Sequence, residues 1–165
     1  MITEFFMRKT IVRCLLAASI GVVVSGAGAL AQGDGPMAAP AGYYTFQKVV
    51  YQNDGGLPDA NAYFERLLRN VGNHIQAVGG KVEIRVVDFG EGVKPFVTAR
   101  TDAALAAKID ALKAKGVRFL ICHNTLEGMK LKPSDLYGVA AEDVVPSGVA
   151  ELARLQGQGF VYIHP

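Results

Sequence analysis

Cys122 closes the apolar run at 117–122 (Val-Arg-Phe-Leu-Ile-Cys), which reads as a buried strand that ends in a loop. A thiolate there can attack a sulfane sulfur and hold it as a persulfide, provided the sulfur is reachable and its charged form is favoured. Amide N–H groups at a strand-to-helix turn, with Lys130 or Lys132 nearby, would lower the thiol pKa. His123 adjoins the cysteine, but alternation along an extended chain points it to the opposite face. The other reading of Cys122 is a small buried hydrophobe that ends a core strand. A thiol-disulfide oxidoreductase would need a Cys-x-x-Cys partner, which the sequence lacks.

Other groups belong to the same neighbourhood. Asn53-Asp54-Gly55-Gly56 and Gly90-Glu91-Gly92 either receive an anion or only turn the chain, and neither matches a dinucleotide or P-loop pattern. Lys94, beside Pro95, faces that rim or solvent. His74, His123 and His164 have no zinc-site spacing; Cys122 and His123 would bind copper or zinc only if folding brought a distant histidine to them. We therefore expect no cofactor and no metal. The candidate set is Cys122 as the reactive group, with Asn53, Asp54, Gly92, Lys94, His123, Asn124 and Thr125 as binding-loop residues.

The elements that must position these residues alternate. A strand at 48–52 stops at the Asn-Asp-Gly-Gly turn, and Pro58 and Asp59 open a long helix that ends at Gly79-Gly80. A strand at 82–87 runs into the glycine-rich 88–92 segment. Thr101 or Asp102 caps a helix whose Leu105, Ile109 and Leu112 share one face up to Gly116. After the strand at 117–122 come a lysine-bearing loop to 132, a short Pro-Ser-Asp-Leu turn, a stunted strand at 144–145, a helix from Pro146-Ser147-Gly148 to about Gln156, and a strand at 160–163. Strands alternating with helices predict an α/β fold with a mostly parallel sheet covered on both faces. In such sheets ligands collect at the C-terminal strand ends, which draws the loops 52–57, 88–94 and 122–132 together.

The chain opens with Arg8, Lys9 and Arg13, an uncharged stretch at 14–30, and the small-residue triplet Ala29-Leu30-Ala31. This is the order of a cleavable signal peptide over 1–31, cut after Ala31, with Met1 or Met7 as the start. Arg13 before Cys14 argues against lipid attachment, and no charged flank makes the stretch a permanent membrane anchor. The expected location is periplasmic or secreted. Cleavage removes three basic residues and Glu4 from 17 basic and 15 acidic, leaving 14 of each. A neutral chain without aromatics interleaved among Lys and Arg argues against a nucleic-acid partner. Residues 32–46 read as a flexible Gly/Pro/Ala leader, whose Tyr43, Tyr44 and Phe46 pack on the domain or on a neighbouring subunit. The domain spans 47–165 and, with Cys122 its single cysteine, is held without disulfides.

Cys122-His123-Asn124-Thr125-Leu126, then Val-Pro-Ser-Gly-Val-Ala-Glu-Leu at 145–152, then Leu-Gln-Gly-Gln-Gly-Phe-Val-Tyr-Ile at 155–163 resemble the DsrE/DsrF-like family, over nearly all of 47–165. The resemblance implies a three-layer α/β/α fold with about five parallel strands and assembly as trimers or hexamers. It also implies, from the sulfur-relay members, a persulfide-carrying cysteine in the loop after a central strand, a position that Cys122 matches. The chain departs from those members in its expected export and in lacking their Ala/Arg-Gly pattern after the cysteine. The function expected is a sulfur carrier, more than a turnover enzyme, that receives sulfane sulfur from, and passes it to, a protein or a small sulfane-sulfur compound. The alternative is a non-catalytic oligomeric protein of the same fold that binds a small ligand or metal at the same rim.

Overall fold

Five extended runs rich in Val, Ile, Phe and Tyr pair into one sheet, because β-branched and aromatic side chains fit a pleated surface buried on both sides. In the computed structural model, which describes residues 39–56 and 58–165, they are β1 (Gln47–Asn53), β2 (Val82–Asp88), β3 (Arg118–Cys122), β4 (Val144–Val145) and β5 (Val161–Ile163). The order across the sheet is β4-β3-β2-β1-β5, and every pairing is parallel. The expected signal peptide at 1–31, its cut after Ala31, Cys14, the Met1 or Met7 start, and the leader up to residue 38 lie outside the described residues. Residues 39–46 form neither helix nor strand, and Tyr43 and Phe46 are 68% and 64% exposed, with Tyr43 edge-on to Tyr44.

The helices are α1 (Ala60–Ala77), α2 (Lys94–Thr98), α3 (Ala103–Lys113), α4 (His123–Met129) and α5 (Gly148–Gly157). Asp59 caps α1 by accepting from the amides of Asn61 and Ala62, and Asp102 caps α3 through Ala104 and Leu105. Ser147 caps α5 through Ala150. Gly79 and Gly80, both with positive φ, turn the chain from α1 toward β2.

Strand alternation separates two cores. Val49, Tyr51, Ile84, Val86, Phe119 and Ile121 face α1, α2 and α3. There Phe64, Phe96 and Phe119 meet with ring centroids 5.1–6.2 Å apart, each buried ring contributing roughly 1.5–3 kcal/mol. On the other face Val50, Val87 and Leu120 pack on Leu152 and Leu155 of α5 and on Phe160. The result is the expected three-layer arrangement. By the same alternation Cys122 lies on the α5 face with Leu120, while Asn53 and Asp88 lie on the opposite face at the same end of the sheet. No helix among the described residues is long and apolar enough to cross a membrane.

Two expectations need correction. The stretch after Cys122, read as a loop to 132, begins with α4, so Cys122 is a helix N-cap. The segment from Gly90 is a 3₁₀ turn that continues into α2, with Pro95 where a helix tolerates it, in the first turn.

Candidate functional site at the C-terminal rim of the sheet

The rim is held together by Asn53. It is fully buried; its Nδ2 donates to Asp88 Oδ1 at 2.7 Å and to the Gly92 carbonyl at 3.1 Å. Its Oδ1 accepts from the Gly55 amide, and its own carbonyl accepts from the Phe89 amide at 3.0 Å. One side chain thus ties the turn after β1 to the turn after β2. Neither turn has room for more: a Cβ on Gly92 would stand 2.3 Å from the Asn53 carbonyl oxygen, and one on Gly55 2.4 Å from Glu91 Cβ. These glycines serve close approach of two loops, which is the chain-turning alternative of the sequence reading.

The Asn53 clamp reaches the cysteine through the next loop. The Gly90 amide donates to Thr125 Oγ1 at 3.0 Å, and Thr125 is the third residue of α4, one turn beyond Cys122. Cys122 is 5% exposed and is the free cysteine among the described residues. As a thiol its Sγ closes no capping hydrogen bond, in keeping with the weakness of sulfur as an acceptor. Burial pushes its pKa up, but the Gly148 amide, the Thr125 hydroxyl and amide, and the Asn124 amide outweigh it and hold the thiol below its ordinary value. The donors come from α4 and from the start of α5. The lysines anticipated for this task are not among the groups that act on the thiol, and Lys130 ends α4 about 12 Å along the helix from the cysteine.

Gly148 was read as part of a motif and of a helix start, not as a site residue. It sits at the first position of α5, where a Cβ would meet the Phe89 ring at 3.0 Å, so the ring of the β2 turn lies against the residue whose amide serves the sulfur. Asp88 was read only as the start of the 88–94 rim loop and not as a site residue. It is fully buried, its Oδ2 has no partner, and burial pushes its pKa well above the ordinary carboxylate range against the lowering effect of Asn53. A neutral acid with the proton on Oδ2 fits that surrounding. The sequence signal was an aspartate on the apolar side of a strand otherwise filled by Ile84 and Val86.

The remaining candidates lie at the surface. His123 is exposed and 3.5 Å from Glu127, one helical turn on, rather than beside the sulfur. Lys94 pairs with Glu91, both exposed. Asp54 accepts from Gln52 at 3.2 Å and is 3.6 Å from His164, while Gln52 accepts from Tyr162 at 2.8 Å. Asn124 is exposed and contributes its amide. His74 is taken up by Tyr51 and Gln47. Among the described residues no group of three His, Cys, Asp or Glu is placed to hold a metal ion. An apolar hollow of about 660 Å³ lies beside β5, lined by Tyr44, Phe46, His74 and Val161 among others, with none of the rim residues in its wall.

The DsrE/DsrF-like family pattern matches residues 48–165. A solved structure, described as a protein of unknown function, MTH1491, from Methanobacterium thermoautotrophicum, is similar to this chain at 31% identity with a TM-score of 0.60. The match covers 72% of this chain and 99% of that one. No curated protein matches the chain.

Proposed function

We propose that this chain, which belongs to the DsrE/DsrF-like family, carries sulfane sulfur as a persulfide on Cys122 and does so outside the cytoplasm, in the periplasm or as a secreted protein. The family is associated with sulfur relay in general. The observation that carries the finer reading is the set of neutral donors around a buried sulfur, from Asn124, Thr125 and Gly148, which favours the thiolate despite 5% exposure. A residue kept only as a small hydrophobe gains nothing from such surroundings.

The thiolate of Cys122 attacks the outer sulfur of a donor R–S–SH. A sulfur–sulfur bond forms to Cys122 as the donor's sulfur–sulfur bond breaks, with its electron pair leaving on R–S. The proton of the outer sulfur passes to that leaving thiolate, so the products are R–SH and the Cys122 persulfide anion. The same donors then face a persulfide anion, and transfer to an acceptor thiolate is the reverse attack. No oxidant enters either step.

Export supports the reading through the order of charges, apolar stretch and small residues at 1–31. Self-association belongs to the same proposal and is supported by the exposed Phe46, Val161 and Tyr162 near the β5 edge. The low exposure of Cys122 favours the alternative, a binding protein at the same rim. One experiment separates them: intact mass of the reduced protein after brief exposure to polysulfide, beside Cys122→Ser. A carrier gains sulfur atoms that a thiol reductant removes and the variant does not take up; an unmodified wild type overturns the carrier reading.

A further inference from the structure

The register of the sheet places Cys122 between two apolar side chains. Val145 of β4 is its direct partner on one side. On the other, Asp88 of β2 is the partner of Ile121, so the next residue, Phe89, stands beside Cys122 at a strand spacing of about 4.8 Å. Phe89 keeps an extended backbone, φ −148° and ψ 171°, so alternation carries past Asp88 and returns its ring to the α5 face that Val87 and Leu120 share with Cys122. Phe89 and Val145 both pack against that core and are half-buried, whereas Cys122 between them is 5% exposed. From Val145 the chain runs through Pro146 and Ser147 into α5, and there it meets Phe89. A Cβ on Gly148 would stand 3.0 Å from the Phe89 ring and 3.1 Å from Phe89 Cβ. The segment 145–148 therefore crosses from the β4 side to the β2 side over the end of β3, and Phe89 closes the frame around Cys122.

We propose that Phe89 is the specificity-determining gate of Cys122: its ring admits a narrow, linear sulfur donor, a polysulfide chain or the hydropersulfide of a small thiol, and holds back a bulky one. The proposal rests on the reading of Cys122 as a working thiol and adds to it the class of donor. Two features make the ring, and not the loop, the part that moves. The Phe89 amide donates to the Asn53 carbonyl at 3.0 Å, which pins the backbone. The turn that follows has no slack, since a Cβ on Gly92 would stand 2.3 Å from that same carbonyl oxygen. Phe89 is left with its χ1 and χ2 rotations, and being half-buried it has solvent to turn into.

The test compares two reagents of the same chemistry and different width, N-methylmaleimide and N-pyrenylmaleimide, on the chain as expressed, followed at the Cys122 peptide by mass. Both react with the thiolate through the same double bond, so the ratio of their rates cancels any change in thiol pKa. Phe89→Ala is expected to raise the rate with the pyrenyl reagent about tenfold and with the methyl reagent by less than about threefold, because a half-buried ring no longer has to be lifted from the approach. Phe89→Leu keeps an apolar contact with the core and is expected to fall between wild type and the alanine variant; it carries the test if Phe89→Ala does not fold. Equal acceleration with both reagents reports general loosening and overturns the proposal, as does a ratio that stays at the wild-type value. Failure of the carrier reading is distinct: the ratio then shifts as expected while polysulfide leaves the mass of Cys122 unchanged in wild type and variant alike.

Discussion

Asp88→Asn should make the protein more stable at neutral pH, and the size of the gain should depend on pH in a way that only a buried neutral acid explains. Asp88 is 0% exposed, accepts from Asn53 through Oδ1 at 2.7 Å, and leaves Oδ2 without a partner. Asparagine has the same shape and keeps an oxygen for Asn53, and its amide replaces an atom that had no partner, so at low pH the exchange should change stability by less than about 1 kcal/mol. The sign with pH follows from burial, which places the folded pKa well above the ordinary aspartate value. Below about pH 4 both folded and unfolded chains are protonated there and the contribution is whole. As pH rises, the unfolded chain ionises while the folded one keeps its proton. Stability then falls by up to about 1.4 kcal/mol per pH unit until the folded pKa is passed. Urea unfolding of wild type and variant at several values between pH 4.5 and 6 measures this directly, because subtraction removes every other titrating group. The difference should grow along that limiting slope, equivalent to roughly 5 °C in Tm per pH unit for a domain of this size. A difference that stays flat across the window, or a variant less stable than wild type throughout, would show that Asp88 is not held neutral.

Two further outcomes follow from the packing. Gly92→Ala places a Cβ 2.3 Å from the Asn53 carbonyl oxygen, backbone against side chain with no rotamer to yield, and should cost about 2–4 kcal/mol in denaturant unfolding; a smaller loss would mean that the two turns can separate freely. His74 Nδ1 shares a hydrogen bond with the Tyr51 hydroxyl at 2.7 Å and its Nε2 donates to Gln47 at 2.6 Å, and burial, which disfavours the charged ring, lowers its pKa while pushing Tyr51 up to about 12. Its contribution is present above the ordinary histidine value of about 6.5 and is lost as pH falls toward the lower folded value. Melting curves at pH 7.5 and 5.5 should show wild type losing more on acidification than His74→Gln, and equal losses would rule that contribution out.

Much of the sheet was legible because its strands are short runs of Val, Ile and Phe ended by glycine-bearing turns, and because Asp59, Asp102 and Ser147 are side chains that cap helices. The helix after Cys122 was not. His123-Asn124-Thr125 are weak helix formers and Gly128 is weaker, so local preference reads a loop, and α4 is held instead by Leu126 entering the larger core. The strand-to-helix turn expected at Cys122 was therefore left without a helix of its own in the element reading. Asn53, Gly92 and Thr125 were legible as rim residues, but what they bind was not, since their partners sit 35 to 39 positions away. Asp88 escaped because an aspartate at a strand end is usually solvated.

The acidity of Cys122 is accordingly a property of the assembled fold. Its donors belong to α4 and to the first residue of α5, twenty-odd positions along the chain, and one of them, Thr125, accepts from Gly90 in the turn that Asn53 clamps. None of these donors carries a charge, so salt, which screens exposed ion pairs such as Lys94–Glu91, should leave the reactivity of the thiol nearly unchanged. A site that relied on Lys130 or Lys132 would respond in the opposite way.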